Sequence, residues 1–140
     1  MSAWHVRKLV RFSHCDPAGI VYYPRYFDLL HEAKEDWLRE HVGVPLPELI
    51  GTRRHGLPIV SLAADFVAPS KLGDEIDVAV RIARVGGASL YLDYDVHCHG
   101  ERRMGARTVL VHIDLDTSRA LRFDDALRAR LEAIAQEDAP

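Results

Sequence analysis

Asp16 opens the stretch Asp16-Pro17-Ala18-Gly19-Ile20-Val21-Tyr22-Tyr23-Pro24, which runs directly into a helical pattern from Arg25 to Glu40. A carboxylate can attack a carbonyl carbon or take a proton from water. Pro24 suits the first turn of a helix, where its missing N–H would have had no partner anyway. Tyr22 and Tyr23 lack the short polar side chain with which Ser, Thr, Asp or Asn caps a helix start. The backbone N–H groups at the positive end of that helix are therefore expected to stay open for another oxygen, such as a carbonyl oxygen turning negative. An acid ahead of such donors suits acyl chemistry. The residues alone leave a plainer reading open, in which Asp16 only hydrogen-bonds its own turn, as Asp-Pro commonly does.

Other groupings offer less. Ser13, His14 and Asp16 are too close along an extended strand to converge as a relay, because adjacent residues point to opposite faces. No Gly-x-Ser-x-Gly elbow is present. Cys15 could act as a nucleophile but reads more simply as a small core residue. His97 and His99 share a strand face, with His112 on a neighbouring strand, which could hold zinc. Asp93 and Asp95 on the same face make it read as a solvated or subunit-contact surface instead, and no metal is expected.

Elements must hold these residues in place. His5 to Cys15 reads as a strand, with Val6, Val10 and Phe12 on one face, and Pro17, Ala18 and Gly19 form the turn after it. From Pro24 the period becomes helical, and Tyr26, Phe27, Leu30, Ala33, Lys34, Trp37 and Leu38 make a broad stripe that a sheet can cover. Val42 to Pro58 is broken by Gly and Pro, with one helical turn expected at Leu46 to Ile50 and an exposed Arg53-Arg54-His55 run. Strands follow at Ile59 to Ala68, Glu75 to Val85, Ala88 to His99 and Arg103 to Leu115, with Gly86-Gly87 as a hairpin signal. Asp124 is placed to cap a last helix through Leu127, Leu131 and Ile134. The order of strand, long helix, four strands and helix predicts an α+β domain whose antiparallel sheet wraps the long helix.

The chain has 140 residues, 48% of them apolar, and a net charge of −3. That length suits a single domain spanning 1–140 with a sizeable core. The charge gives no support to broad nucleic-acid or anionic-membrane binding. No segment has the length and apolarity of a membrane helix, and two cysteines make no disulfide framework, so a cytoplasmic protein is expected.

The Asp16–Pro24 stretch, the helix behind it and Gly56-Leu57-Pro58-Ile59-Val60-Ser61 ahead of the strands together resemble the 4-hydroxybenzoyl-CoA thioesterase family of hotdog-fold enzymes. The resemblance covers nearly the whole chain. It implies a hotdog fold, with a five-stranded antiparallel sheet around a long central helix and a C-terminal helix. It also implies homodimers or homotetramers with active sites at subunit contacts, and hydrolysis of an acyl-CoA to acid and CoA without metal or cofactor. Asp16 matches the family's catalytic carboxylate, and the Tyr23 backbone N–H its oxyanion donor. His31 falls where the hydroxybenzoyl-specific enzyme has an acid beside the acyl ring. Gly86-Gly87-Ala88 falls where that enzyme carries a basic cluster for CoA, while Ser89 and Arg122 match residues at the CoA end. Tyr22, Tyr26 and Leu57 are expected to line the acyl pocket. The preferred substrate implied is a benzoyl-type thioester. The rivals are a short- or medium-chain acyl-CoA thioesterase of the Tol–Pal-associated type, which usually has His where this chain has Pro24, and a hotdog module that binds acyl-CoA without hydrolysing it.

Overall fold

The structure is a computed structural model that describes residues 3–140. Its elements are β1 (Trp4–Leu9), α1 (Arg25–Trp37), β2 (His55–Gly56), β3 (Ile59–Phe66), β4 (Glu75–Val85), β5 (Ser89–Cys98), β6 (Glu101–Val111), β7 (Ile113–Asp114) and α2 (Asp125–Asp138). Five strands form one antiparallel sheet in the order β1-β4-β5-β6-β3, and β2 pairs with β7 apart from it. The strict alternation of β5 puts Leu90, Leu92, Tyr94, Val96 and Cys98 on the buried face. Paired residues of β4 and β6 lie on that same face. This inner surface closes over α1, which buries Tyr26, Leu29, Leu30, Ala33 and Trp37. Each large side chain buried this way contributes roughly 1.5–3 kcal/mol. This is the hotdog arrangement.

Several boundaries differ from the sequence expectation. The first strand stops at Leu9, and Phe12–His14 forms a 3-10 turn that leaves Phe12 80% exposed. The long helix continues as a wider turn over Leu38–Val42 and stops at Gly43, whose φ of 89° a side chain would disfavour. The helical turn expected at Leu46 to Ile50 forms there and runs on, its wider part spanning Glu48–Thr52. The last long strand divides at His112, so that Ile113–Asp114 leaves the main sheet to pair with His55–Gly56. The Gly86-Gly87 hairpin forms as read, with Gly86 N–H donating to the Ser89 carbonyl at 2.8 Å. So does the helix cap, in which Asp124 Oδ1 accepts from Leu127 N–H at 2.8 Å.

β3 stands apart from the other strands. Its far edge pairs with no described residue, and Ile59, Val60, Leu62 and Phe66 are 45–61% exposed. Its register places Leu62, Ala64 and Phe66 opposite Thr108, Ala106 and Met104, which are inner-face positions of β6. The apolar side of β3 therefore overhangs the helix without being covered.

Candidate active site

The stretch around Asp16 folds into a tight hairpin. Cys15 bridges to Val21, Asp16 N–H donates to Ile20 O at 3.0 Å, and Tyr22 N–H donates to His14 O at 2.9 Å. Gly19 turns the chain with φ of 79°, which explains a glycine at that position. Asp16 Oδ1 accepts from Ala18 N–H at 2.9 Å, the self-bonded turn that the plainer sequence reading foresees. The second oxygen accepts from no described residue. The carboxylate is thus oriented by one oxygen and open at the other.

The helix start has fewer open donors than the sequence suggested. Arg25 N–H donates to Tyr22 O at 2.8 Å, Tyr26 N–H to Tyr23 O at 3.2 Å and Phe27 N–H to Pro24 O at 3.2 Å. These tight turns use three of the groups expected to be free, and Pro24 has none to give. Tyr23 N–H alone in this turn donates to no described residue. As expected, no side chain caps the helix. One donor is left, at the positive end of α1.

Aromatic rings cluster at this helix start. Phe66 of β3 lies 6.0 Å from the Tyr23 ring, 5.9 Å from Tyr26 and 6.3 Å from Phe27, and Tyr22 lies 5.6 Å from Tyr23. Tyr26 is buried and donates its hydroxyl to Ser70 Oγ at 2.7 Å, while Tyr22 and Tyr23 are each 54% exposed. Phe66 is the residue sequence reasoning missed. Its place on the apolar side of β3 was legible, but nothing in the pattern told which helix residues it would meet.

His31 opens onto a groove of about 350 Å³ between the 3-10 turn and the outer side of α1, lined also by Ser13, His14, Arg25, Asp28 and Glu32. Burial first, and then the nearby Lys34 charge, push its imidazole below the ordinary 6.5, which favours the neutral ring. His31 is therefore a residue of this polar groove.

Leu57, Ser89 and Arg122 lie elsewhere. Leu57 packs among Leu38, Val42, Leu49, Leu90 and Phe123, near the other end of the helix. Tyr26 and Leu38 are roughly 18 Å apart at 1.5 Å of rise per helical residue. Within one chain Leu57 therefore does not join Tyr22 and Tyr26. Ser89 and Arg122 do come together, at the Gly86-Gly87 turn. A side chain on Gly86 would collide with Ser89 Oγ, and one on Gly87 would stand 3.0 Å from Arg122 Nη1. Arg122 thus brings a positive charge to a turn that has none of its own.

The zinc reading finds no support in position. His97 pairs with Arg102 near the start of β6, whereas His112 follows that strand's far end and donates from Nδ1 to Leu121 O at 2.7 Å. No cluster of three His, Cys, Asp or Glu side chains suited to a metal occurs among the described residues.

A family profile described as the thioesterase-like superfamily matches residues 10–131, which takes in the Asp16 hairpin, α1, the whole of β3–β6 and the first half of α2. The chain belongs to the thioesterase-like superfamily. A 1,4-dihydroxy-2-naphthoyl-CoA hydrolase from Synechocystis is 29% identical to this thioesterase over 114 residues, covering 81% of each chain. A solved 1,4-dihydroxy-2-naphthoyl-CoA thioesterase from Synechocystis superposes with a TM-score of 0.83 at 25% identity, over 97% of this chain and 98% of that one. A gentisyl-coenzyme A thioesterase superposes with a TM-score of 0.83 at 26% identity, over 91% of this chain and 99% of that one. The protein is accordingly a thioester hydrolase. No helix among the described residues of this thioesterase is long and apolar enough to cross a membrane.

Proposed function

We propose that this thioesterase hydrolyses aromatic acyl-CoA thioesters of the benzoyl or hydroxybenzoyl type, with Asp16 as the reacting carboxylate and Tyr23 N–H as the oxyanion donor. The observation that carries this reading is the half-anchored carboxylate of Asp16 in the loop that leads to the one open N–H of the helix start. In one route the free Asp16 oxygen attacks the thioester carbon, CoA thiolate leaves, and water hydrolyses the resulting mixed anhydride. In the other, Asp16 takes a proton from water, which attacks directly. Both routes place negative charge on the former carbonyl oxygen. A backbone donor at a helix N-terminus stabilises that charge, typically by about 3–4 kcal/mol.

The aromatic substrate class rests on two supports. Tyr22, Tyr23, Tyr26 and Phe66 give ring surfaces beside the donor, and the relatives above are named for ring-hydroxylated aryl-CoA thioesters. His31, whose neutral form is favoured, suits a hydrogen bond to a ring hydroxyl. Ser89 and Arg122 suit the CoA end, where Arg122 meets phosphate as a fixed cation.

The two ends of this site are too far apart in one chain, and a second copy resolves the distance. The free, apolar edge of β3 is of the kind that another strand pairs with. Two-fold antiparallel pairing of β3 with its copy lays the Ile59 end of one strand beside the Phe66 end of the other. The partner subunit's Leu57 and the CoA end behind it then approach Tyr22, Tyr23 and Asp16. The working unit is a homodimer, or a tetramer built from two.

The test is thiol release from benzoyl-, hydroxybenzoyl-, phenylacetyl- and straight-chain acyl-CoAs by wild type and Asp16→Asn. Asn keeps an oxygen for Ala18 N–H, so the turn survives and only the charge is lost. A fall of about 10²- to 10⁴-fold in kcat on aryl substrates is expected. Equal rates for the two proteins would mean that Asp16 only closes its turn. The self-bonded Asx turn is the one observation favouring the non-catalytic module, and binding of acyl-CoA with no turnover by wild type would establish it. Turnover confined to the straight-chain esters would favour the Tol–Pal-associated type.

A further inference from the structure

Arg103 on β6 is 9% exposed, and its guanidinium gathers one short segment of chain. Nη1 donates to Pro69 O at 3.0 Å, to Ser70 Oγ at 3.2 Å and to Asp74 Oδ2 at 2.9 Å. Nε lies 2.7 Å from Glu101 Oε1, within ion-pairing distance but out of line for a hydrogen bond. Asp74 Oδ2 also accepts from Lys71 N–H at 2.9 Å, so the segment from Pro69 to Asp74 is closed at both ends. The Lys71 N–H bond and the Arg103 guanidinium hold the Asp74 carboxyl below its ordinary 3.8.

Both halves of the proposed reaction centre hang from this segment. Ser70 O accepts from Val21 N–H at 2.9 Å, and Leu72 N–H donates to Gly19 O at 2.9 Å, so the Asp16 hairpin is fixed to it by main-chain bonds on either side of Ile20. Ile20 itself bridges to Lys71. The helix start is fixed to the same place, because Tyr26 OH donates to the Ser70 Oγ that Arg103 also holds. Ser70 is 0% exposed, so no water can replace these partners without movement of the segment. The carboxylate and the Tyr23 N–H therefore share one mount.

We propose that Arg103 is a positioning residue for thioester hydrolysis, setting through Ser70 and the Pro69–Asp74 segment where the Asp16 carboxylate stands relative to the Tyr23 N–H. This rests on the assignment of Asp16 as the reacting carboxylate. A displacement of about 1 Å between reacting groups can cost on the order of a hundredfold in rate. Arg103 touches neither group, so its loss moves them without removing either.

The experiment is a double-mutant cycle in the full-length protein, with Arg103→Met and Ser70→Ala each made in wild type and in Asp16→Asn. Steady-state kinetics give kcat and KM on the best aryl-CoA, and single-turnover thiol release measures the slow variants. In the Asp16-containing protein, Arg103→Met is expected to lower kcat about 10- to 100-fold with KM changed by less than about threefold. Arg103→Lys, which keeps a charge beside Asp74 without the planar fork, recovers part of that loss. In the Asp16→Asn background, Arg103→Met adds no further loss, because there is no carboxylate left to misplace. Ser70→Ala leaves the Arg103–Asp74 pair in place, so it keeps the test open if Arg103→Met fails to fold. It is expected to lower kcat about threefold or more, again only when Asp16 is present. Equal losses in both backgrounds, or unchanged kcat in Ser70→Ala, would overturn the positioning role while leaving Asp16 catalytic. An Asp16→Asn protein as fast as wild type would overturn the assignment of Asp16, and the positioning role with it.

Discussion

Asp16 has one oxygen fixed to Ala18 N–H and one oxygen open, which is how a short acidic side chain can be both a turn residue and a reagent. The two readings of this residue differ only in what faces the open oxygen. Tyr23 contributes through its backbone, so its side chain can vary while the N–H stays. His31 is different, because its ring nitrogens are the part that would meet substrate. The half-exposed ring has its titration lowered by partial burial and by Lys34, which favours the neutral form, able to donate or accept one hydrogen bond to a ring hydroxyl. Such a bond is worth about 0.5–1.5 kcal/mol. His31→Ala should therefore raise KM for hydroxybenzoyl-CoA by roughly 2- to 12-fold and leave butyryl-CoA within about twofold. A uniform change across both esters would remove His31 from ring recognition.

Among the elements, the junction of β6 and β7 carries a titrating group inside the fold. His112 is 1% exposed, stacks on Phe123 at 4.9 Å and meets His55 edge-on at 4.8 Å. Its Nδ1–H donates to Leu121 O, so the proton-free nitrogen is Nε2, which is buried without a hydrogen-bond partner. Burial pushes the imidazole below the ordinary 6.5, against the opposing pull of the Leu121 bond. The unfolded chain takes up this proton near pH 6.5 and the folded chain only at lower pH. The stability tied to neutral His112 is thus present above pH 6.5 and lost as pH falls through the lowered folded value. Thermal melts from pH 7.5 to 5 should show wild type losing Tm more steeply than His112→Gln. Parallel curves for the two proteins would place the acid sensitivity elsewhere.

For the molecule as a whole, the uncovered side of β3 is the largest departure from a finished monomer. Leu62 is 45% exposed and Phe66 49% exposed on β3, an edge strand whose outer side pairs with no described residue, next to the proposed reaction centre. A charge placed there opposes pairing of two copies. Leu62→Glu is expected to shift the protein from a multiple of the 15.8 kDa chain mass to that mass alone in light scattering. On the proposed β3–β3 pairing activity should fall with it, since that pairing is what would bring the second copy's CoA end to Asp16. A monomeric Leu62→Glu protein with full aryl-CoA hydrolysis would show that one chain holds a complete site.

The sequence by itself determined the elements whose signal is local. The period of α1, the alternation of β4 and β5, the Gly86-Gly87 turn and the Asp124 cap each depend on neighbours a few residues away. The uncapped helix behind Asp16 was legible for the same reason. Only the tertiary structure decided which helix-start donor stays open, because the tight turns that use Arg25, Tyr26 and Phe27 N–H depend on how the chain enters α1. It also decided that Phe66 meets the tyrosines, that Arg103 holds the segment beneath them, and that Leu57 lies near the opposite end of the helix. The Phe66 and Arg103 contacts join residues some 30 to 45 positions apart, and no periodicity in a chain encodes pairings at that separation.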